Sequence, residues 1–180
     1  MGAPHDDGRP HAAPCGEDVL AEGEAIVALG SNIGDKAAHL TRALRLLTRS
    51  GEISVRAVSR YYQTPPWGKT DQDWFLNACA RVETTLGPHA LLERCLATET
   101  EMGRVRAEKW GPRIIDLDVL AHGQTSMATA DLTLPHPHIT VRAFVLAPLA
   151  DVAPDLCLEG RAVRDWLAEI DRTGVVPIGA

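Results

Sequence analysis

The sequence has no apolar stretch that approaches the roughly 20 residues needed to cross a bilayer. Its N-terminus also lacks the apolar core of a secretory signal peptide. These absences argue against a membrane protein and against a secreted one, and we expect a cytoplasmic protein with no membrane partner.

Cysteine is scarce, and the four cysteines, Cys15, Cys79, Cys95 and Cys157, stand far apart. None of them forms the CxxC spacing that is typical of zinc sites and redox motifs. The spacing therefore predicts neither a disulfide framework nor a zinc site, and a reducing cytosol fits it.

Basic residues are fewer than acidic ones, since 18 Lys and Arg stand against 24 Asp and Glu and the net charge is −6. Of the 18 basic residues, three are lysines and fifteen are arginines. An acidic chain of this kind lacks the extended basic surface that binds nucleic acids, so we expect no nucleic-acid partner. Only one stretch is locally basic, where Arg104, Arg106, Lys109 and Arg113 lie within ten residues.

What the chain does contain is ordinary for a globular protein, with 180 residues of which 45% are hydrophobic and 23% charged. Residues 1–24 are rich in Pro, Gly, Asp and Glu and show no periodicity, so we predict a disordered N-terminal extension. Residues 25–180 are predicted to form one domain.

The hydrophobic periodicity predicts strands over residues 25–29, 53–62, 75–84 and 114–121 and helices from residues 36 and 88. The order strand, helix, strand, strand, helix, strand is that of the ferredoxin-like fold. We therefore predict an α+β protein with a ferredoxin-like (βαββαβ) antiparallel sheet, helices packed on it and a C-terminal extension that includes short helices at residues 142–149 and 163–169.

Two carboxylates interrupt the last predicted strand of this unit, at Asp116 and Asp118. Side chains two apart on a strand share a face, so these carboxylates would repel each other unless a cation neutralised them. Mg²⁺ prefers one or two carboxylates plus substrate phosphates, and guanidinium groups suit phosphates. The pattern favours a nucleotide-dependent phosphotransferase, although the Asp and Arg residues could also pair as a surface salt-bridge network.

Two loops and one strand offer further polar groups. The turn at Gly30–Asp35 lacks the P-loop pattern and is better explained as a strand-to-helix connection with Asp35 as the N-cap. The proline-rich loop at residues 64–73 carries an aromatic residue, as many binding loops do. Asn77 follows on a strand face, either as a satisfied core amide or as a partner for a flat heterocycle.

Five segments together resemble the 6-hydroxymethyl-7,8-dihydropterin pyrophosphokinases of folate biosynthesis. They are ALGSNIGD (28–35), SRYYQTPPWG (59–68), DQDWFLNA (71–78), GRVRAEKWGPRIIDLDVLAHG (103–123) and LPHPHITVRAFVLAPL (134–149). The resemblance implies transfer of the β,γ-diphosphate of ATP to the substrate's hydroxymethyl oxygen, which leaves AMP. It also implies two Mg²⁺ ions and ATP as the co-substrate.

The resemblance assigns a role to each matching position. Asp116 and Asp118 would bind the metal ions, and Arg104 and Arg113 would be catalytic. The residues implied to contact ATP are Glu99, Arg106, Trp110, Arg113, His136 and Arg142. The residues implied to bind the pterin are Thr64, Pro65, Trp67, Phe75, Asn77 and Phe144.

Three positions depart from the family pattern. Leu96 replaces a Gln near the adenine of some members, Lys109 replaces an Arg, and Phe75 lacks the hydroxyl of a Tyr. No general base is evident, and the Arg-bearing loop would act as a lid over ATP. We expect a monomer that binds ATP and 6-hydroxymethyl-7,8-dihydropterin.

Two alternatives remain open from the residues alone. A non-catalytic ferredoxin-like module could bind a small molecule or RNA, because this fold hosts many functions. An ordinary kinase could transfer only the γ-phosphate of ATP and release ADP.

Overall fold

The structure is a computed structural model that describes residues 19–66, 70–104 and 111–179. Its elements in chain order are β1 (Glu24–Ser31), α1 (Lys36–Leu47), β2 (Ile53–Val58), β3 (Tyr61–Thr64), β4 (Phe75–Thr84), α2 (Pro88–Glu101), β5 (Asp116–His122), β6 (Met127–Ala128), β7 (Thr133–Leu134), α3 (Ala143–Val152), β8 (Cys157–Leu158), β9 (Arg161–Ala162), α4 (Val163–Glu169) and β10 (Val176–Ile178).

The centre of the fold is a six-stranded sheet with the order β10-β3-β4-β1-β5, in which β2 also pairs with β4. All of its pairings are antiparallel. The protein is therefore a mixed α/β structure with an antiparallel sheet, and the described residues contain four α-helices.

Alternation along the strands gives the sheet two apolar faces. On β1, Val27 and Leu29 join the buried cluster that contains Leu40 of α1 and Leu91 of α2. Ile26, which lies between Ala25 and Val27, joins a second buried cluster with α3 and α4. Because successive strand side chains point to opposite faces, β1 packs against α1 and α2 on one face and against α3 and α4 on the other.

The strand predicted over residues 53–62 is divided in the structure into β2 and β3. The break falls at Ser59, whose hydroxyl oxygen accepts a hydrogen bond from the backbone N–H of Cys79 at 2.9 Å. Its own N–H donates to the carbonyl of Cys79, so Ser59 stays attached to β4 while the strand is interrupted. No Gly or Pro marks this position, and periodicity alone could not reveal it.

The helix ends agree with the residue chemistry. Asp35 is the N-cap of α1 and accepts a hydrogen bond from the N–H of Ala38 at 3.0 Å, which confirms the predicted strand-to-helix connection. Gly103 follows α2 with a φ of 87°, a conformation that favours glycine.

The N-terminal and C-terminal segments are described to different extents. Residues 1–18 of the predicted extension lie outside the described residues, and Leu20 is buried in the cluster below α3. The tail after α4 returns to the sheet as β10, a strand that the sequence did not predict. Along the described part of the chain, we find no helix with the length and apolar character of a membrane span.

The cysteines are not all in the same state. Cys79 and Cys95 are buried free thiols, whereas Cys157 is disulfide-bonded. The spacing predicted no disulfide framework, and it gave no signal for this single bond.

Candidate active site

A cavity of about 260 Å³ opens on the α3 side of the sheet. Strands β1, β4 and β5 form its floor, and the start of α3 forms part of its wall. The aromatic, polar and charged residues that line it are Thr64, Phe75, Asn77, Arg113, Asp116, Asp118, His136, Arg142 and Phe144. One pocket thus gathers side chains that are up to 80 positions apart in the sequence.

One wall of the cavity combines aromatic rings with an amide. Phe75 and Asn77 lie two apart on β4 and so share a face, and Phe144 comes from the first turn of α3. The Asn77 Nδ2 donates a hydrogen bond to the buried Thr64 Oγ1 at 2.7 Å, which holds the amide in one orientation. Aromatic faces and a fixed amide are the groups that recognise a flat polar heterocycle.

Gly30 makes this wall possible, and the sequence reasoning did not identify it as a site residue. It lies on β1 between Asn77 of β4 and Asp116 of β5. A Cβ at this position would lie 2.9 Å from Asn77 Oδ1 and 3.9 Å from Phe75 Cδ1. Only a glycine therefore leaves space for the amide, the ring and the carboxylate to approach one another.

The acidic pair lies on the other side of the cavity. Asp116 and Asp118 share one face of β5, while Leu117 and Val119 enter the core on the opposite face. This alternation is the one predicted from the spacing. Asp116 pairs with Arg104, and its Oδ2 lies 3.1 Å from Arg113 Nε.

Asp118 has a different environment although it is two residues away. It faces the cavity, and within residues 19–66, 70–104 and 111–179 no ion pair to it is present. Asp118 is open to solvent on the cavity side, but protein atoms surround it closely. Their desolvation of the carboxylate, together with the negative charges of Asp116 and Glu99, raises the pKa of Asp118 above that of an ordinary aspartate. A cation at this point would offset that penalty.

Glu99 lies behind the cavity wall instead of lining it. It is 2% exposed and accepts hydrogen bonds from Arg104 and from the backbone N–H of Leu117. The same Nη1 of Arg104 also donates to Asp116. Glu99 therefore connects α2 to β5 and holds the side chain of Arg104 against the acidic pair.

The remaining cationic residues lie over the aromatic rings. The Arg113 guanidinium carbon is 5.3 Å from the centre of the Phe75 ring, and that of Arg142 is 5.8 Å from the centre of Phe144. Both distances are those of cation–π contacts. The arginines can contact an anion in the cavity while their planar groups border the aromatic wall.

His136 lines the same cavity and is neutral at physiological pH. Burial is the main cause that lowers its pKa to about 4, and the positive charges of Arg142 and His138 act in the same direction. A neutral imidazole can donate one hydrogen bond and accept another, but it adds no charge.

Asn32 connects the loops around the cavity and was also missed by the sequence reasoning. Its Oδ1 accepts the backbone N–H of Arg113 at 2.8 Å, and its Nδ2 donates to Gln72 at 2.9 Å. The side chain is 2% exposed, so these bonds are protected from water. The sequence signal that could have identified Asn32 is its position as a polar residue between Gly30 and Gly34 in the turn.

A model of the family described as 7,8-dihydro-6-hydroxymethylpterin-pyrophosphokinase (HPPK) matches residues 26–154. The chain belongs to the HPPK family. The match contains the whole cavity described above, from Gly30 to Phe144.

Individual relatives agree with this assignment. The 2-amino-4-hydroxy-6-hydroxymethyldihydropteridine pyrophosphokinase of Methylorubrum extorquens is 53% identical over 151 residues, which covers 84% of this chain and 96% of that protein. The protein of the same name from Bacillus subtilis is 42% identical, with coverages of 84% and 87%.

Solved structures resemble the chain in fold. A Plasmodium falciparum HPPK-DHPS structure with SDX-DHP gives a TM-score of 0.62 at 14% identity, covering 81% of this chain and 43% of that one. A second Plasmodium falciparum HPPK-DHPS structure, with pterin and p-hydroxybenzoate, gives 0.66 at 15% identity, with coverages of 86% and 44%. At such identities the likeness shows an HPPK-like fold alone, and this chain spans less than half of those proteins.

Three predicted site residues, Trp67, Arg106 and Trp110, lie outside the described residues. Among the others, the structure brings the predicted pterin residues Thr64, Pro65, Phe75, Asn77 and Phe144 into one HPPK cavity with Asp116 and Asp118. Arg104 and Glu99 lie directly behind it. Their roles in binding and catalysis stay predictions.

Proposed function

We propose that this protein transfers the β,γ-diphosphate of ATP to the hydroxymethyl oxygen of 6-hydroxymethyl-7,8-dihydropterin and releases AMP, as a step of tetrahydrofolate biosynthesis. The observation that carries the proposal is the shared cavity, in which the acidic pair of β5 faces the aromatic and amide wall of β4 and α3. Membership of the HPPK family supports the same reaction.

The pterin is proposed to bind between Phe75 and Phe144. Stacking supports a flat ring, and the Asn77 amide together with the Thr64–Pro65 segment contacts its polar edge. Trp67 belongs to the proposed set through the family pattern. A site of this kind rejects analogues that lack the matching polar groups, because the half-buried Asn77 amide then loses a hydrogen bond that it makes to the correct substrate.

The triphosphate is proposed to lie along β5, next to the arginines. Arg104 and Arg113 would stabilise charge on the transferring group, because guanidinium groups bind phosphate oxygens in pairs. Glu99, Arg106, Trp110, His136 and Arg142 complete the proposed ATP site. Since Glu99 is held by Arg104 and Leu117, its contribution is proposed to be indirect.

The residues present fit a magnesium site. Asp116 and Asp118 supply hard oxygen ligands on one face of β5. Desolvation and the charges of Asp116 and Glu99 raise the pKa of Asp118 although Arg113 and Arg104 act in the opposite direction, so a bound cation would relieve the remaining penalty. The described residues contain no group of three or more His, Cys, Asp and Glu side chains that could hold a metal. We propose two Mg²⁺ ions whose other ligands are phosphate oxygens and water, and which neutralise the charge of the triphosphate.

Product analysis tests the proposed reaction. Purified protein with ATP, Mg²⁺ and 6-hydroxymethyl-7,8-dihydropterin should produce AMP and the pterin diphosphate in equal amounts. ADP would instead indicate transfer of the γ-phosphate, and folded protein that binds the pterin without turnover would indicate a binding module.

We also propose a monomer in the cytoplasm and a ferredoxin-like core. In this core, β2 and β3 together stand for the second strand of the βαββαβ unit, because both pair with β4. Light scattering on the purified protein tests the oligomeric state, and a second copy in solution would contradict it.

A further inference from the structure

The C-terminal tail lies beyond the part of the chain that the family model matches, which ends at residue 154. It nevertheless returns to the site, because β10 pairs with β3 and places Val176 opposite Gln63 and Ile178 opposite Tyr61. Strand β3 ends at Thr64, the residue that holds the Asn77 amide. The tail is thus joined to the strand that leads into the proposed pterin pocket.

Gly174 makes the closest approach between the tail and this pocket. It has a φ of 80°, and a Cβ there would lie 3.1 Å from Pro65 Cδ and 3.2 Å from Pro65 Cγ. The same Cβ would lie 3.9 Å from Trp74 Cη2. Gly174 therefore packs against Pro65 and Trp74, and Pro65 lines the cavity.

The tail is itself held in a defined turn before it reaches the loop. The Asp171 carboxylate accepts hydrogen bonds from the N–H and the hydroxyl of Thr173, and the N–H of Val175 donates to the carbonyl of Arg172. On the opposite side, Lys36 Nζ donates to the carbonyl of Trp74 at 2.7 Å. Trp74 is thus held between α1 and the tail.

We propose that the tail from Asp171 to Ile178 positions the pterin pocket, with Gly174 as the positioning residue that sets the place of Pro65. This inference rests on the proposed role of the cavity wall in pterin binding. The Pro65 side chain is bonded to its own backbone nitrogen and cannot rotate away from a neighbouring atom. A steric contact with its ring therefore displaces the backbone next to Thr64.

The effect should be selective because of the sheet order. β10 and β3 form one edge of the sheet, whereas β5 with the acidic pair forms the other edge. A disturbance of the tail is therefore transmitted to the pterin wall and not to the proposed phosphate site.

Steady-state kinetics of two glycine variants test this inference. Gly174→Ala adds a methyl group against Pro65, whereas Gly160→Ala adds one at a similar φ of 78° with nothing within 4 Å. Both should lose similar thermal stability from backbone strain. Only Gly174→Ala should raise the KM for the pterin, by about threefold to tenfold, with the KM for ATP unchanged.

A third variant separates the inference from the proposed function. Phe75→Ala should raise the pterin KM if the cavity wall binds the pterin. If Phe75→Ala raises it but Gly174→Ala behaves like Gly160→Ala, the tail has no positioning role. If Phe75→Ala has no effect either, the pocket assignment fails and the inference fails with it.

A chain that ends at Thr173 provides an independent test if Gly174→Ala does not fold. It removes the contacts to Pro65 and Trp74 together with β10. The pterin KM should again rise while the KM for ATP stays within about twofold of the full chain. An equal rise in both constants would overturn the inference.

Discussion

Replacing Gly30 by Ala should damage pterin recognition without straining the backbone, since Gly30 has no positive φ. The new methyl group would lie 2.9 Å from Asn77 Oδ1. An ordinary contact needs roughly 3.5 Å, so the amide must move by about 0.5 Å or rotate. Either change disturbs the 2.7 Å hydrogen bond between Asn77 and the buried Thr64 hydroxyl.

The size of the effect follows from the proposed contact between the amide and the polar edge of the pterin, because the Asn77–Thr64 bond is disturbed in the free and in the bound protein alike. Leaving a buried polar group without its partner costs about 1–3 kcal/mol. At about 1.4 kcal/mol per factor of ten, the dissociation constant of the pterin should rise by about fivefold to 150-fold. The KM for ATP should change little, because the arginines and the acidic pair keep their mutual contacts.

The assay is titration calorimetry with 6-hydroxymethyl-7,8-dihydropterin in the presence of Mg²⁺ and a non-hydrolysable ATP analogue. Gly87→Ala is the control, since a Cβ there meets nothing within 4 Å. In an Asn77→Ala background the clash is gone, so Gly30→Ala should add little further loss. Equal losses with and without Asn77 would refute the steric argument.

Three further predictions concern the charged groups. Asp118→Asn should lower Mg²⁺-dependent turnover by at least about 100-fold, while pterin binding measured without Mg²⁺ persists; retained turnover would exclude a metal role for Asp118. Glu99→Ala should lower the free energy of unfolding by about 3 kcal/mol, because it leaves the Leu117 N–H without its buried partner and removes one of the two carboxylates that neutralise Arg104. The control Glu101→Ala, which breaks the exposed pair with Arg49, should have a much smaller effect in the same denaturant titration, and similar losses of stability would contradict the argument. The pKa of His136 is lowered from 6.5 to about 4 in the folded protein. As the pH falls, the imidazole is therefore protonated in the unfolded chain before it is protonated in the folded one, and stability is lost between pH 6.5 and about pH 4. Because the imidazole is partly exposed and solvent screens the effect, this loss at pH 5 relative to pH 7 is about 1 kcal/mol. His136→Gln should reduce the pH dependence by that amount in urea titrations, and an unchanged slope would show that His136 titrates normally.

Strands β2 and β3 show how far the fold could be predicted from the sequence. Alternation located the strand over residues 75–84 with the observed bounds, because each residue's face depends only on its own position in the strand. The division of residues 53–64 at Ser59 depends on a side-chain bond to Cys79, which no local pattern records. The pairing of β10 with β3 is likewise a contact between residues more than 110 positions apart.

Within the candidate site, the sequence by itself determined the chemistry. Asp116 and Asp118 share a strand face because of their spacing, and the arginines, the asparagine and the aromatics were identifiable by type and by family pattern. The tertiary structure decided which of them meet. It placed the phenylalanines, the amide and the acidic pair around one cavity, moved Glu99 behind its wall, and showed that Gly30 is needed for the space between them. The reason is physical, because residue identity determines what a side chain can bind, whereas distances across a sheet arise only from strand order and register.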